Sequence, residues 1–245
     1  MYSPTQLRKM IFFDLETASG MADLATLEAA DPALAKLWTK RAEYLRSNFA
    51  ENAEKSDAEL YVEKAALTPE FSRIVCASFG RLEFKEDEAV PRIKIKSEKD
   101  MNELHILKSI SIIFEKFHDW KFVGHNIKRF DIPMICKRMS IHGIPLPTSL
   151  RIGDLKPWEL PYIDTSDIWS FGAWQEKFSS LELITTVLGI PSPKEDMHGS
   201  DVGKVFWEDG DISRIAEYCE NDVRAVTNIV LKLSQQPLVE ELESA

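Results

Sequence analysis

Three short stretches place acids among apolar residues: IFFDLET with Asp14 and Glu16, NIKRFD with Asn126 and Asp131, and YCENDV with Tyr218 and Asp222. Asp14 and Glu16 are spaced i, i+2, which on a strand points both side chains to one face. Two carboxylates on one face repel unless a positive charge lies between them. Hard oxygen donors suit magnesium or manganese, and no histidine cluster points to zinc. Asp131 follows Phe130 early in an expected helix, where free N–H groups favour a carboxylate. Asn126 offers a carboxamide that can hold a substrate oxygen, tie down a loop or cap the following helix. Tyr218 and Asp222 lie about 6 Å apart along a helix, so they share a face. A phenol beside a metal-held carboxylate can orient a water without losing its own proton. Four such acids could hold two cations about 3.5–4 Å apart, the separation that suits phosphoryl hydrolysis. Each motif alone also has a plain reading: a strand-end DxE is commonly a solvated turn, and YxxxD recurs on helices by chance. The order of the motifs, their placement at element ends and their shared chemistry carry the case.

Something must bring these residues together. Lys9 to Phe13 reads as a strand that delivers Asp14 at its C-terminal end. Residues 18–68 then turn Ala-, Leu-, Glu- and Lys-rich with apolar residues at helical spacing, which predicts two or three helices, with Pro32 at a turn or first helical position. Arg73 to Phe79 is a strand interrupted at Gly80, with Arg81 to Phe84 as its hairpin partner. Val90 to Lys96 alternates apolar and basic residues as a half-exposed strand. Glu98 to Phe117 is a helix with Leu104, Leu107, Ile110 and Phe114 on one face. Phe122 and Val123 form a buried strand ending at Gly124, and Ile127 to Ser140 follows as a helix. Pro161 to Ser166 is a strand end or loop, Ser179 to Leu188 a short helix, and 194–203 a polar loop. Asp211 caps a last helix to Leu233. Strands followed by crossing helices predict one α/β layer structure, a mixed sheet covered by helices, over residues 1–245. Residues 236–245 are expected to be a flexible, acidic tail.

Composition limits the function. The 245 residues hold 30 Lys and Arg against 40 Asp and Glu, a net charge of -10. That disfavours a large nonspecific nucleic-acid binder but leaves room for a local, metal-neutralised phosphate site. No apolar run reaches the length of a membrane helix, so no membrane partner is expected. The first residues lack a long h-region, so secretion is not expected. Cys76, Cys136 and Cys219 form no metal-like cluster, and their odd number suits a reducing, cytoplasmic setting.

Taken together the motifs resemble the DEDD 3′–5′ exonucleases, and most of all stand-alone relatives of the proofreading exonuclease domain of family B DNA polymerases. FDLET matches the family's first motif, NIKRFD its second and YCEND its third, in the tyrosine subclass. The likeness also covers most of residues 119–233, together with 9–17 and 71–80. It implies the ribonuclease H-like fold, a mixed five-stranded sheet flanked by helices. It implies that Asp14, Glu16, Asp131 and Asp222 ligate two Mg2+ or Mn2+ ions and that Tyr218 positions the attacking water. By the same resemblance, Leu15 or Thr17 touches the terminal nucleotide and Phe130 packs under its base or sugar. The alternative for Phe130 is core packing. His125 is either a phosphate contact or a loop residue, and Asp164 falls where relatives place a structural or near-site aspartate.

The segment between Glu16 and Phe71 is longer than a minimal family domain needs. It carries nine acids against six bases between Ala18 and Thr68. A lid, a wedge that limits substrate to frayed or single-stranded ends, a dimer contact and a packing ornament all fit it. The expected activity is release of nucleoside 5′-monophosphates from 3′ ends of single-stranded DNA. An oligoribonuclease-like activity, a small-ester phosphodiesterase and a nucleic-acid- or partner-binding module on a nuclease fold are the alternatives. A proofreading or repair role would need a separate polymerase or repair partner.

Overall fold

The computed structural model describes residues 1–85, 90–156, 158–173, 179–191 and 197–239, and the backbone of 242–244. In chain order the helices and strands are α1 (Pro4–Leu7), β1 (Met10–Ser19), α2 (Leu24–Ala30), α3 (Pro32–Asn48), α4 (Asp57–Lys64), β2 (Ser72–Glu83), β3 (Arg92–Lys99) and α5 (Glu103–Lys116). There follow β4 (Lys121–Gly124), α6 (Asp131–Ile141), β5 (Ile163–Asp164), α7 (Thr165–Trp169), α8 (Leu181–Val187), α9 (Val202–Lys204), α10 (Ile212–Leu233) and β6 (Leu242–Ser244). Among these, no helix is long and apolar enough to cross a membrane.

The sheet runs β5-β4-β1-β2-β3-β6. Strands β1, β2 and β3 pair antiparallel, whereas β4 lies parallel to β1 and β5 parallel to β4. The mixed five-stranded sheet is therefore present, and β6 adds a sixth strand parallel to β3. Part of the expected flexible tail thus has a partner, Leu242 opposite Ile93 through Ser244 opposite Ile95. Residues 240, 241 and 245 fall outside the described residues, as do 194–196 of the expected polar loop 194–203; the rest of that stretch is no plain loop, since it forms a turn at Gly199–Asp201 and helix α9.

The alternation of β1 splits the core. Ile11, Phe13 and Leu15 face α5 and α6, where Phe13 meets Phe114 and Phe122 edge-on at 5.7 and 5.9 Å. Phe12 faces the other way, with Val223, Val226 and Val230 of α10. A buried aromatic side chain of this kind contributes about 1.5–3 kcal/mol through burial, so each layer is anchored from the same strand.

Two strand expectations needed correction. β1 continues to Ser19, so Asp14 and Glu16 sit within the strand rather than at its end. The polar look of LETAS hid this: Thr17, Ala18 and Ser19 are buried against β2, and the register shifts between Glu16 and Thr17. β2 also runs straight through Gly80, and its hairpin partner is β3, not Arg81 to Phe84. Gly80 is a packing residue there. A Cβ would lie 2.8 Å from Val223 Cγ1 and 3.0 Å from Ile93 Cδ1.

The insertion forms α2, α3 and α4 around its own core of Trp38, Leu45, Leu60, Tyr61 and Phe71. Side-chain caps start each helix: Asp23, Asp31 and Ser56 accept N–H groups of Thr26, Leu34 and Glu59. The exit of this segment is fastened by Arg138 of α6, which donates to Pro69 O at 3.0 Å and pairs with buried Glu103 of α5 at 2.5 Å.

Candidate active site

The alternation that buries Phe13 against α5 points Asp14 and Glu16 toward α10. On α10, Cys219 reaches Asp14: its Sγ lies 3.4 Å from the backbone oxygen and 3.5 Å from Oδ2. Ligand atoms of Asp14, Glu16 and Cys219 all lie within 4.8 Å of one another. Asp222 stands one turn further along α10 and acts electrostatically on both Asp14 and Glu16. Asp131 opens α6 from the other side, and its carboxylate accepts the N–H of Leu15. Four acids from three elements thus surround one spot.

Their environment resists charge. Burial pushes the Asp14 carboxyl well above the ordinary range, with the charges of Asp222 and Asp131 adding to it. Burial does the same to Glu16, followed by the charges of Asp14 and Asp222. Asp131 is pushed up to about 8, first by burial, with Asp164 and Asp222 raising it and the N–H groups of Asp131 and Leu15 opposing. Three carboxyls raised by burial and by one another, with the charge of Asp222 added, are relieved either by protons or by cations. Their hard oxygen donors match magnesium or manganese, so the donor set fits divalent ions. Cys219 adds one soft donor at the edge. The spacing of the three cysteines gave no metal-like cluster, and nothing in it marks Cys219 as a neighbour of Asp14 and Glu16.

Tyr218 is half-buried on the same helix, four residues before Asp222. A Cβ on Gly199 would lie 3.8 Å from the Tyr218 hydroxyl, so the turn at 199–201 runs alongside the phenol.

The second motif is held by its neighbours more than by itself. Gly124 ends β4 where the chain folds back on itself. A Cβ there would fall 2.2 Å from Ile127 Cγ2 and 2.8 Å from Phe13 O. Asn126 takes the left-handed conformation, φ 60°. Asp164, nearly fully buried, locks this turn by accepting the N–H groups of Asn126 at 2.8 Å, Lys128 at 3.1 Å and Ser166 at 3.0 Å. The carbonyl of Asn126 accepts from Arg129 and Phe130. Helix α6 therefore begins at Asp131, four residues later than the pattern suggests, and the turn before it aims the carboxylate inward.

The expected substrate contacts fare unevenly. His125 spends both ring nitrogens inside the fold, Nδ1 at 2.9 Å from Thr165 Oγ1 and Nε2 at 3.0 Å from Ser179 O. Burial lowers its pKa, the cost of taking an imidazolium out of water. It braces the turn, and the phosphate contact is not what the geometry supplies. The side chain of Leu15 is buried in the α5–α6 core, so only its backbone faces the acids. Thr17 is buried and donates its hydroxyl to Ala66 O of the insertion at 3.0 Å. Phe130 is half-buried and packs on the core around Ile127 and Ile132, the alternative the sequence left open.

Residues 66–238 match the family described as a predicted 3′–5′ exonuclease related to the exonuclease domain of PolB. The chain belongs to this family. No curated protein matches the chain. Among solved structures, the family B DNA polymerase from the hyperthermophilic archaeon Pyrobaculum calidifontis is similar, with a TM-score of 0.53 at 15% identity. The likeness covers 92% of this chain, which spans 24% of that polymerase. At that identity the polymerase supports the fold, the α/β exonuclease-type sheet flanked by helices. The family match begins at residue 66, so Asp14, Glu16 and helices α2 to α4 of the insertion precede it. The first two acids join the family's segment through the pairing of β1 with β2 and β4.

Proposed function

We propose that this exonuclease-family chain hydrolyses the terminal phosphodiester bond at 3′ ends of single-stranded DNA, releasing nucleoside 5′-monophosphates. The observation that carries the reading is the convergence of buried Glu16 and Asp131 with half-buried Asp14 and Asp222, mutually repelling, beside Tyr218. These four carboxylates would hold two divalent cations, Mg2+ or Mn2+, which when bound supply Lewis acidity and charge neutralisation at the scissile phosphate. Tyr218 orients the attacking water through its hydroxyl, with its proton retained. Asp164, His125 and Gly124 keep the turn before Asp131 in place. The backbone N–H of Leu15 holds the Asp131 carboxylate toward the centre.

The insertion supports a single-stranded substrate. It crosses the end of β1 directly beyond Glu16, where Thr17 binds Ala66 O and Tyr61 binds the N–H of Met21 at 3.1 Å. An insertion fastened there would stand beside the approach to the acids, where it would favour a single strand over a duplex.

The test uses 5′-labelled single-stranded DNA and RNA of matched sequence with Mg2+ or Mn2+. A ladder shortening from the 3′ end, abolished by EDTA and in a folded Asp14→Ala/Asp222→Ala protein, is the expected outcome. Shortening of RNA alone transfers the reading to an exoribonuclease. No cleavage of either polymer by folded, metal-supplied protein sinks it.

A further inference from the structure

On the side of the sheet away from the acids, α5 leaves a groove of about 500 Å³ between its C-terminal half and strands β2 and β3. The floor is apolar: Ile11 and Phe79 are the strand residues that alternate away from Phe12 and Asp14, and Ile113 comes from α5. Ile112 stands at the lip with 68% of its surface exposed. Its neighbours on the rim are cationic: Arg81, Lys94, Lys96 and Lys116.

The charge here opposes that of the chain as a whole. Arg81 and Lys94 share one carboxylate, Glu83, at 2.8 and 3.2 Å, and Lys96 pairs with Glu98 at 2.7 Å. Lys116 extends over the ring of Phe117 at 5.2 Å. Among the described residues, four cations meet two acids here, on a protein whose net charge is -10. Exposed pairs of this kind contribute little stability, so an incoming carboxylate can exchange for them at small cost.

We infer that this groove docks an acidic peptide segment of another protein, one that carries bulky apolar side chains between its carboxylates. The carboxylates would meet Arg81, Lys94 and Lys96, and an apolar side chain would cover Ile112 and reach Phe79. Phosphate backbone alone would use the cations and leave the apolar lip and floor wet, which favours the peptide over a nucleic-acid strand. Because Phe79 and Ile11 face away from Asp14 and Glu16, an occupied groove leaves the acids open. The docked partner would tether the chain and raise its effective concentration at the partner's location.

The probe is a fluorescein-labelled eight-residue peptide alternating aspartate with phenylalanine and leucine, read by anisotropy against the full chain. Its controls are the same peptide with serine for the apolar residues, and an unlabelled oligothymidylate as competitor. Binding is expected to weaken by about tenfold or more in Lys94→Glu/Lys96→Glu and by about fivefold or more in Ile112→Asp. The serine peptide should bind at least about tenfold more weakly. All three positions are at least partly exposed, and unchanged circular dichroism confirms the fold of each variant. The proposal is overturned if the wild-type chain shows no binding up to about 1 mM, if the variants bind as wild type does, or if the serine peptide binds equally. Displacement by oligothymidylate that is itself lost in the groove variants would make the groove a nucleic-acid track and overturn it as well.

Discussion

Carboxylates do opposite work in two neighbouring regions of this molecule. In the helical insertion they sit in water and accept N–H groups. Asp23 is held below its usual range by the N–H of Thr26, and Glu59 by the hydroxyl and N–H of Ser56. These acids favour charge and start helices. On the other side of Thr17, Asp14, Glu16 and Asp131 face one another and Asp222 with little water between them, and are pushed upward. The residue type is the same, and solvent and partner decide the outcome. The insertion's acids hold structure, whereas the site's acids are a stored repulsion that a bound cation relieves.

Removing acids from each region should break or sharpen that contrast. The largest effect is expected at the site. Asp14→Ala, Asp131→Ala or Asp222→Ala should lower turnover by about 10³-fold or more, because on the proposed reading each would remove an oxygen donor from the metal set. The metal-free melting temperature of these variants should hold or rise, since a repelling charge is gone. A fall in metal-free stability together with full activity would reverse the contrast. Tyr218→Phe should lower kcat by about 10–10²-fold with little change in KM, a loss of water positioning without loss of binding.

The pH dependence follows from the direction of the shifts. Asp131 is raised from 3.8 to about 8, and Asp14 and Glu16 also move upward. Below about pH 4 folded and unfolded chains both hold these protons, and the full contribution to stability is present. As pH rises toward about 8 the unfolded chain releases protons that the folded chain keeps, so the metal-free protein should become less stable. Thermal melts in EDTA between pH 4 and 8.5 read this fall. Saturating Mg2+ or Mn2+ should flatten it, and a melt that rises with pH in EDTA would contradict the raised values. The smallest effect belongs to the insertion. Ser56→Ala, which removes the cap of α4, should cost about 1 kcal/mol of stability and leave turnover unchanged.

Much of the site was legible because its residues obey simple periods. The i, i+2 spacing of Asp14 and Glu16 needs only a strand, and the i, i+4 spacing of Tyr218 and Asp222 only a helix. The insertion read as helices because its apolar residues repeat at helical spacing. What escaped depends on contacts across the fold. Asp164 was expected as a structural or near-site aspartate only through the resemblance; that it gathers three N–H groups from residues 126, 128 and 166 is nowhere written in YIDTS itself. His125 read as either a phosphate contact or a loop residue, and only the fold shows that Thr165 and Ser179 claim its ring. Cys219 reads as one more inward residue of α10, and only the approach of β1 sets its sulfur against Asp14. The length of β1 was missed because small polar residues fill its buried second half.

The two ends of the insertion meet. Ser19 is paired across the sheet with Ser72, and the N–H of Gly20 donates to Phe71 O at 2.7 Å. The segment between them is topologically a hairpin loop, however large its own core. A long loop adds little closure entropy beyond a short one, so strands β1 and β2 can keep their register whatever connects them. The helical unit is a cassette: it can be exchanged for a tight turn or for a different cap, and the acids beneath would meet a different range of substrates on the same scaffold.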